Sequence, residues 1–458
     1  LNDGSDELTH GGVSDVSAEA IEIQVTDARR DHVLTNVNIW SPDSQRIVFD
    51  VRTGEDFNGT TIEEVEVDTR RVRTLFESID GAHCGVATYS PLGPWVAFIL
   101  GPEHPSADWD YSASRRRGVL VDTRRPGTMV PLDAMNYAPP FTPGALRGGS
   151  HVHVFSPDGL WVSFTYEDEV LNRLGTEGLD HDLNQRNVGV AFPRGPVSVA
   201  PSHPRNHGGT YFSAIVTRTH NHPRPGSDEI GRACEEGWVG SDGYVRADGA
   251  RQKRALAFQG HVVAADGSRH AEVFIADLPE DLTISGDDSL AGTERHYPRP
   301  PLGTTCRRLT FSSGPQHPGV AALPRHWIRS APDGSRIAFL MADENGIVQL
   351  WWVSPNGGEP RQLTRSSWGI GSAFTWSPDG RWIGHAMDNS VFATDAITGH
   401  SYRLTARRAD STAPLPLACV FSPDGQRIAY LRNVDDAGVV YRQIFVVSMP
   451  AAMVLLNG

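Results

Sequence analysis

The stretch Ala373-Phe374-Thr375-Trp376-Ser377-Pro378-Asp379-Gly380-Arg381-Trp382-Ile383-Gly384-His385-Ala386-Met387 reads as strand, tight turn, strand. Proline sets φ at the first turn position, Asp bonds back to nearby backbone, and Gly supplies a positive φ. The tetrapeptide returns intact at Ser156-Pro157-Asp158-Gly159 and Ser422-Pro423-Asp424-Gly425. Near copies stand at Ser41-Pro42-Asp43-Ser44, Ala331-Pro332-Asp333-Gly334 and Ser90-Pro91-Leu92-Gly93. Pro332, Pro378 and Pro423 lie 46 and 45 residues apart. A period in the forties, with apolar runs flanking a turn, marks a β-propeller blade.

The pattern predicts one all-β, seven-bladed propeller of four-stranded antiparallel blades over 22–458, after an N-terminal extension of 1–21. Inner strands are expected at 35–40, 84–89, 150–155, 326–330, 371–376 and 418–421. The third blade continues with 161–166, 188–192 and 197–200. A further blade without the turn is expected within 205–310, from strands at 211–217, 255–263, 272–277 and 306–310. The last blade lacks an outer strand, and Glu22-Ile23-Gln24-Val25-Thr26 has the alternation to supply it, closing the ring and removing exposed edges. Insertions near 101–149, 169–186 and 218–254 exceed ordinary blade loops, and long loops on a rigid scaffold carry function.

Composition narrows the partners. The chain has 458 residues, 39% hydrophobic, with a net charge of −14. That balance argues against a nucleic-acid or anionic membrane partner. Cys84, Cys234, Cys306 and Cys419 are scattered, with no zinc or disulfide spacing, and read as buried free thiols. No run of eighteen apolar residues occurs, so no transmembrane helix is expected. The compartment stays open between cytoplasm and periplasm of a bacterium.

Aligning the inner strands on the turn proline brings out histidines. His151 and His326 stand six residues before it, His153 four before, and His83 eight before in the second blade. His32 sits just ahead of the first inner strand. By the period of two, His151 and His153 share a strand face. All inner strands of a propeller start at one end of the channel, so these side chains are expected to converge there. Neutral imidazoles suit a divalent metal, here Mn, Zn, Ni or Ca, and three ligands leave positions open for substrate. His151, His153 and His326 are the expected ligands, with Gln185 adding a polar group from the segment Gln185-Arg186-Asn187.

Arg147 and Arg325 sit just before these histidines, and arginine forks onto carboxylates. The combination suits an acidic oligosaccharide. In a β-elimination, neutralising the carboxylate acidifies the neighbouring C–H, and His83 or Tyr137 is placed to remove the proton. Thr219-His220-Asn221-His222-Pro223 is a second His-x-His, within an insertion. Asp228, Glu229, Glu235 and Glu236 read as a solvated loop face. No Gly-x-Ser-x-Gly elbow and no phosphate-cradling loop is present.

Several long motifs resemble the TolB-type propeller repeats and, more closely, a bacterial propeller family of unknown function. They include Gly144-Ala145-Leu146-Arg147-Gly148-Gly149-Ser150-His151-Val152-His153, Gln185-Arg186-Asn187-Val188-Gly189-Val190, Glu235-Glu236-Gly237-Trp238 and Pro324-Arg325-His326-Trp327. The histidines at inner-strand starts also resemble, more distantly, those of oligogalacturonate lyases. That resemblance implies a seven-bladed propeller whose metal is held by channel histidines and a glutamine. Gly148 stands where such a glutamine is expected before the His-Val-His pair. Two functions follow: a metal-dependent lyase on uronate-containing carbohydrate, or a non-catalytic TolB-like propeller that binds a protein or peptide.

Overall fold

The computed structural model describes residues 12–454, apart from 55, 177–179, 287 and 313–315. Residues 1–11 of the expected extension, and part of the 169–186 insertion, lie outside the described residues.

Seven blades ring a central channel. Blade 1 comprises His32–Val33, Arg46–Val51, Thr61–Glu66 and Val72–Glu77. Blade 2 comprises Cys84–Tyr89, Trp95–Leu100, Arg117–Asp122 and Met129–Pro131. Blade 3 comprises Gly148–Phe155, Val162–Asp168, Asn187–Phe192 and Phe212–Ile215. Blade 4 comprises Arg232–Trp238, Ala255–Val263, Arg269–Asp277 and Thr305–Arg308. Blade 5 comprises Arg329–Ser330, Ile337–Ala342, Val348–Val353 and Arg361–Gln362. Blade 6 comprises Thr375–Trp376, Trp382–Met387, Ser390–Asp395 and Ser401–Arg403, with Val13–Asp15 added in parallel outside. Blade 7 comprises Pro414–Phe421, Arg427–Asp436 and Val439–Ser448, and Glu22–Gln24 completes it, with Glu22 opposite Val447.

The repeated turn holds itself and its neighbour. Ser156 Oγ donates to Asp158 Oδ1 at 2.5 Å and accepts the Trp161 N–H at 3.0 Å, which fixes the entry to the next strand. Ser422 does the same for Asp424 and Arg427, at 2.5 and 3.0 Å. Gly380 takes φ 73°, and a Cβ there would stand 3.1 Å from Pro332 of the preceding blade. Trp40, Trp238 and Trp376 each donate an indole N–H to the preceding blade, at Val420, Val154 and Arg329 carbonyls, 3.0–3.1 Å away. Apolar clusters fill the space between blades. Ile39, Ile47 and Phe49, for example, pack on Val420, Leu431 and Ile444 where blade 1 meets blade 7.

Two strand assignments differ from the sequence reading. The outer strand of blade 3 is Phe212–Ile215, not 197–200. The inner strand of blade 4 is Arg232–Trp238, which was absent from the expected set. It escapes a hydrophobicity reading because it carries Glu235 and Glu236. Its turn, Gly240-Ser241-Asp242-Gly243, lacks the proline and leads into an inserted hairpin of Tyr244–Val245 with Arg251–Gln252. Among the described residues no helix is long and apolar enough to cross a membrane. Cys84, Cys234 and Cys419 are buried free thiols, whereas Cys306 is exposed.

Candidate functional site at the channel mouth

A β-bulge decides which histidine faces what. His151 pairs with Thr165, Val152 then takes φ 56°, and pairing resumes only at Val154 with Ser163. The extra residue breaks the period of two, so His151 and His153 do not share a face. A β-branched residue at positive φ is strained, by roughly 1–3 kcal/mol. Val86 repeats that conformation in blade 2, with φ 61°. The strain is offset by packing: Val152, Val154 and Trp327 gather with Val37, Val86 and Trp238 as an apolar plug.

His153 turns away between blades 2 and 3. It is fully buried, with Nε2 3.0 Å from Ser150 Oγ and 3.6 Å from Asp133 Oδ2. Asp133 Oδ2 also accepts Ser150 Oγ at 2.5 Å and the Gly118 N–H at 3.0 Å. His326 has both ring nitrogens committed. Nδ1 donates to the Pro324 carbonyl at 2.9 Å, and Nε2 accepts the Leu340 N–H at 3.1 Å. Burial lowers its pKa to about 4, so it stays neutral. Gln185 donates Nε2 to the His220 carbonyl at 3.0 Å and lines a separate 210 Å³ cleft with Arg232 and His261. The expected metal set of His151, His153, His326 and Gln185 is therefore not gathered. Among the described residues no group of three or more His, Cys, Asp or Glu is placed to hold a metal ion. These residues do not fit a metal shell.

Two expected catalytic residues are also committed elsewhere. Arg147 is fully buried and donates Nε and Nη2 to Asp168 Oδ2 at 3.0 and 2.6 Å, so it does not face the channel. Tyr137 packs against Trp109 and His203 beneath the insertions, and burial pushes its hydroxyl pKa up. It is not poised as a base. His83 stands just before the inner strand of blade 2, with Nδ1 buried and unpartnered among the described residues.

His151 and Arg325 remain. His151 is 4% exposed, and among the described residues neither ring nitrogen has a hydrogen-bond partner, Nδ1 being buried as well. Its pKa is held well below the usual value, first by burial and then by the charges of Arg116, Arg186 and Arg325. The imidazole is neutral at pH 7, and the same burial and charges oppose its protonation until an anion enters beside it. Arg186 Nε donates to Glu167. Arg325 pairs with Glu235 at 2.8 Å, lies over the Trp327 ring at 4.6 Å, and keeps half its side chain exposed. Arg116 donates to Tyr111 Oη at 3.1 Å, with Nε buried and unpartnered among the described residues. Arg232, beside Glu235, meets Cys234. Arg116, Arg186 and Arg325 thus face Glu167 and Glu235, an excess of positive charge at one end of a channel in an acidic protein.

Glu235 and Glu236 are not on a solvated loop. Both are buried on the inner strand of blade 4. Glu236 Oε2 accepts from Thr165 Oγ1 at 2.9 Å, while Oε1 is buried without a partner among the described residues. Burial, with Glu235 acting in the same direction, raises its pKa to about 7. The signal that could have placed this strand is the Asp242-Gly243 remnant of the repeated turn. Arg116 gave no signal, because it lies at the end of the loop that precedes Arg117–Asp122.

Residues 83–207 match a family described as Protein of unknown function (DUF3748). The uncharacterized protein YidR of Escherichia coli (strain K12) is 48% identical over 414 residues, which cover 90% of this chain and 94% of YidR. Among solved structures, an oligogalacturonate lyase in complex with manganese superposes with a TM-score of 0.53 at 12% identity, covering 96% of both chains. A putative TolB from Agrobacterium tumefaciens aligns with a TM-score of 0.40 at 14% identity, over 86% of this chain and 99% of its own.

Proposed function

Because the chain belongs to the same family as YidR, a family without an assigned activity, we propose a function from the site itself: the channel mouth takes a carboxylate-bearing sugar, a uronate oligosaccharide, and cleaves it by β-elimination. The observation that carries this reading is His151, a neutral imidazole without a partner among the described residues, in the field of Arg116, Arg186 and Arg325. Arg325, half exposed, forks onto the substrate carboxylate, exchanging its contact with Glu235. Arg116, which has a hydroxyl rather than a carboxylate as partner, adds charge beside it. Neutralising that carboxylate lowers the pKa of the adjacent C–H. His151 takes the proton, the electron pair forms the ring double bond, and the β C–O bond breaks. Solvent protonates the departing oxygen. The likeness to an oligogalacturonate lyase accords with this chemistry but is too distant to carry it.

The test is a panel of uronate oligosaccharides assayed for the ultraviolet absorbance of unsaturated product. Wild type should produce it; His151→Ala should lose activity at least a hundredfold, and Arg325→Ala should mainly raise KM. No product, with uronate binding abolished by Arg325→Ala, would leave the mouth as a non-catalytic binding site. Neither product nor binding would overturn the reading and turn attention to protein partners.

A further inference from the structure

The opposite end of the channel, where the repeated turns gather, holds a 370 Å³ cavity rimmed by the turn prolines. Its walls are largely apolar and include Trp40, Trp238, Trp376 and Phe421. The three indole N–H groups are already bonded to carbonyls of the preceding blades, so the walls offer ring faces rather than donors. The space has a sequence cause. Two residues before the turn proline, five blades carry Trp40, Tyr89, Phe155, Trp376 and Phe421, whereas blade 5 carries Ser330. Ser330 lines the cavity and accepts the Gly240 N–H at 3.1 Å.

The single charge in the lining is Arg329. It is 8% exposed and reaches across the channel to Asn36 Oδ1 in blade 1. Among the described residues its buried Nε has no partner and it makes no ion pair. Burial lowers its pKa to about 10, opposed only by the charge of Glu236. Leaving a guanidinium buried without a counter-ion is costly, and an anion delivered to it removes that cost. The turn aspartates are absent from the lining, and those of Asp158 and Asp424 are bonded back to their own turns.

We propose that this cavity is a second ligand site, separate from the His151 mouth, for a monocarboxylate with a flat apolar body. One guanidinium with Nη2 committed to Asn36 and Nε unpartnered among the described residues matches one carboxylate rather than a phosphate, which needs more donors. Ring-faced walls and a volume of a few hundred Å³ match a small aromatic acid.

Isothermal titration of the whole protein with indole-3-acetate tests it, with tryptamine and acetate as comparators. Indole-3-acetate should bind one site saturably, at least tenfold tighter than tryptamine, which has the ring without the anion, and acetate, which has the anion without the ring. Arg329→Gln should weaken binding tenfold or more. Ser330→Phe, which restores the aromatic residue of the other blades and leaves Arg329 in place, should abolish it. His151→Ala should leave it unchanged, which separates this site from the proposed lyase mouth. Absence of saturable binding to wild type, equal affinity for tryptamine, or full binding by a folded Ser330→Phe variant would each overturn the proposal.

Discussion

The Thr165 hydroxyl donates to Glu236 Oε2 at 2.9 Å while the Thr165 backbone pairs with His151, so one residue of blade 3 ties together two buried acid–base groups of the channel. Glu236 is the more telling for stability. Its pKa rises from 4.5 to about 7 on folding, because burial disfavours the charged form. Between those values the folded chain keeps a proton that the unfolded chain has released. The associated stability is fully present below pH 4.5 and is lost as pH rises through about 7. Glu236→Gln should remove this dependence and be more stable than wild type at pH 8, by about 3 kcal/mol at most. Urea unfolding of both proteins at pH 5 and pH 8 checks it; parallel shifts between the two pH values would refute the assignment.

The same strand shows where the sequence was legible and where it was not. The turn is chemistry: Ser156, Asp158 and Gly159 each have a fixed task, so their recurrence reveals blades without any alignment. The apolar alternation of Glu22, Ile23 and Gln24 likewise revealed the closing strand. Blade 4 was hidden because its inner strand trades apolar residues for Glu235 and Glu236, whose partners Arg325 and Thr165 are distant in sequence. At the site, position told which histidines start inner strands but not where they point. Val152 at positive φ sends His153 between blades, and only three-dimensional packing specifies that bulge. Arg325 and His151 stood out in the sequence, whereas Arg116, at a loop end just before Arg117–Asp122, has no spacing to betray it, and Arg329 sits on an inner strand whose contact with Asn36 of blade 1 is distant in sequence.

Buried histidines set the acid limit. Burial lowers the pKa of His32, His326 and His385 from 6.5 to about 4. A depressed base contributes stability that is full above pH 6.5 and is lost as pH falls towards 4. This is opposite in sign to Glu236, and the two together should place the stability maximum near neutral pH. His326→Asn should cost stability at pH 7 through the lost Leu340 and Pro324 contacts, and should also flatten the decline between pH 6.5 and 4. Chemical denaturation across that window reads both effects; an unchanged slope would mean that His326 does not titrate there.

Arg147 belongs to folding rather than catalysis. It and Asp168 are both fully buried, and Asp168 also accepts the Tyr166 hydroxyl at 2.9 Å and caps the Glu169–Leu174 helix through the Leu171 N–H at 2.9 Å. Removing one partner leaves an uncompensated charge in the core. Arg147→Ala should therefore lose about 3–5 kcal/mol. Adding Asp168→Asn should recover part of that loss, because the stranded charge goes with it. Thermal unfolding of the single and double variants measures the coupling; additive losses would show that the two side chains do not act as a pair.

Ring closure rests on a carboxylate as well as on the strand. Glu22 pairs opposite Val447, and its side chain collects Tyr430 Oη, Arg408 Nη2 and Arg432 Nη1, the last at 2.7 Å. These contacts, with those arginines the largest charge effects, hold its pKa below the usual carboxylate value despite burial. Glu22→Ala leaves two cations and a buried tyrosine hydroxyl without their acceptor, at a cost of about 1–3 kcal/mol. Deleting residues 12–26 goes further, since Val439–Ser448 then becomes an open edge strand. The point variant should lower the unfolding midpoint yet stay monodisperse, whereas the deletion should self-associate in light scattering at concentrations where the full chain does not. A deletion that stays monodisperse with an unchanged midpoint would show that blade 7 closes without this strand.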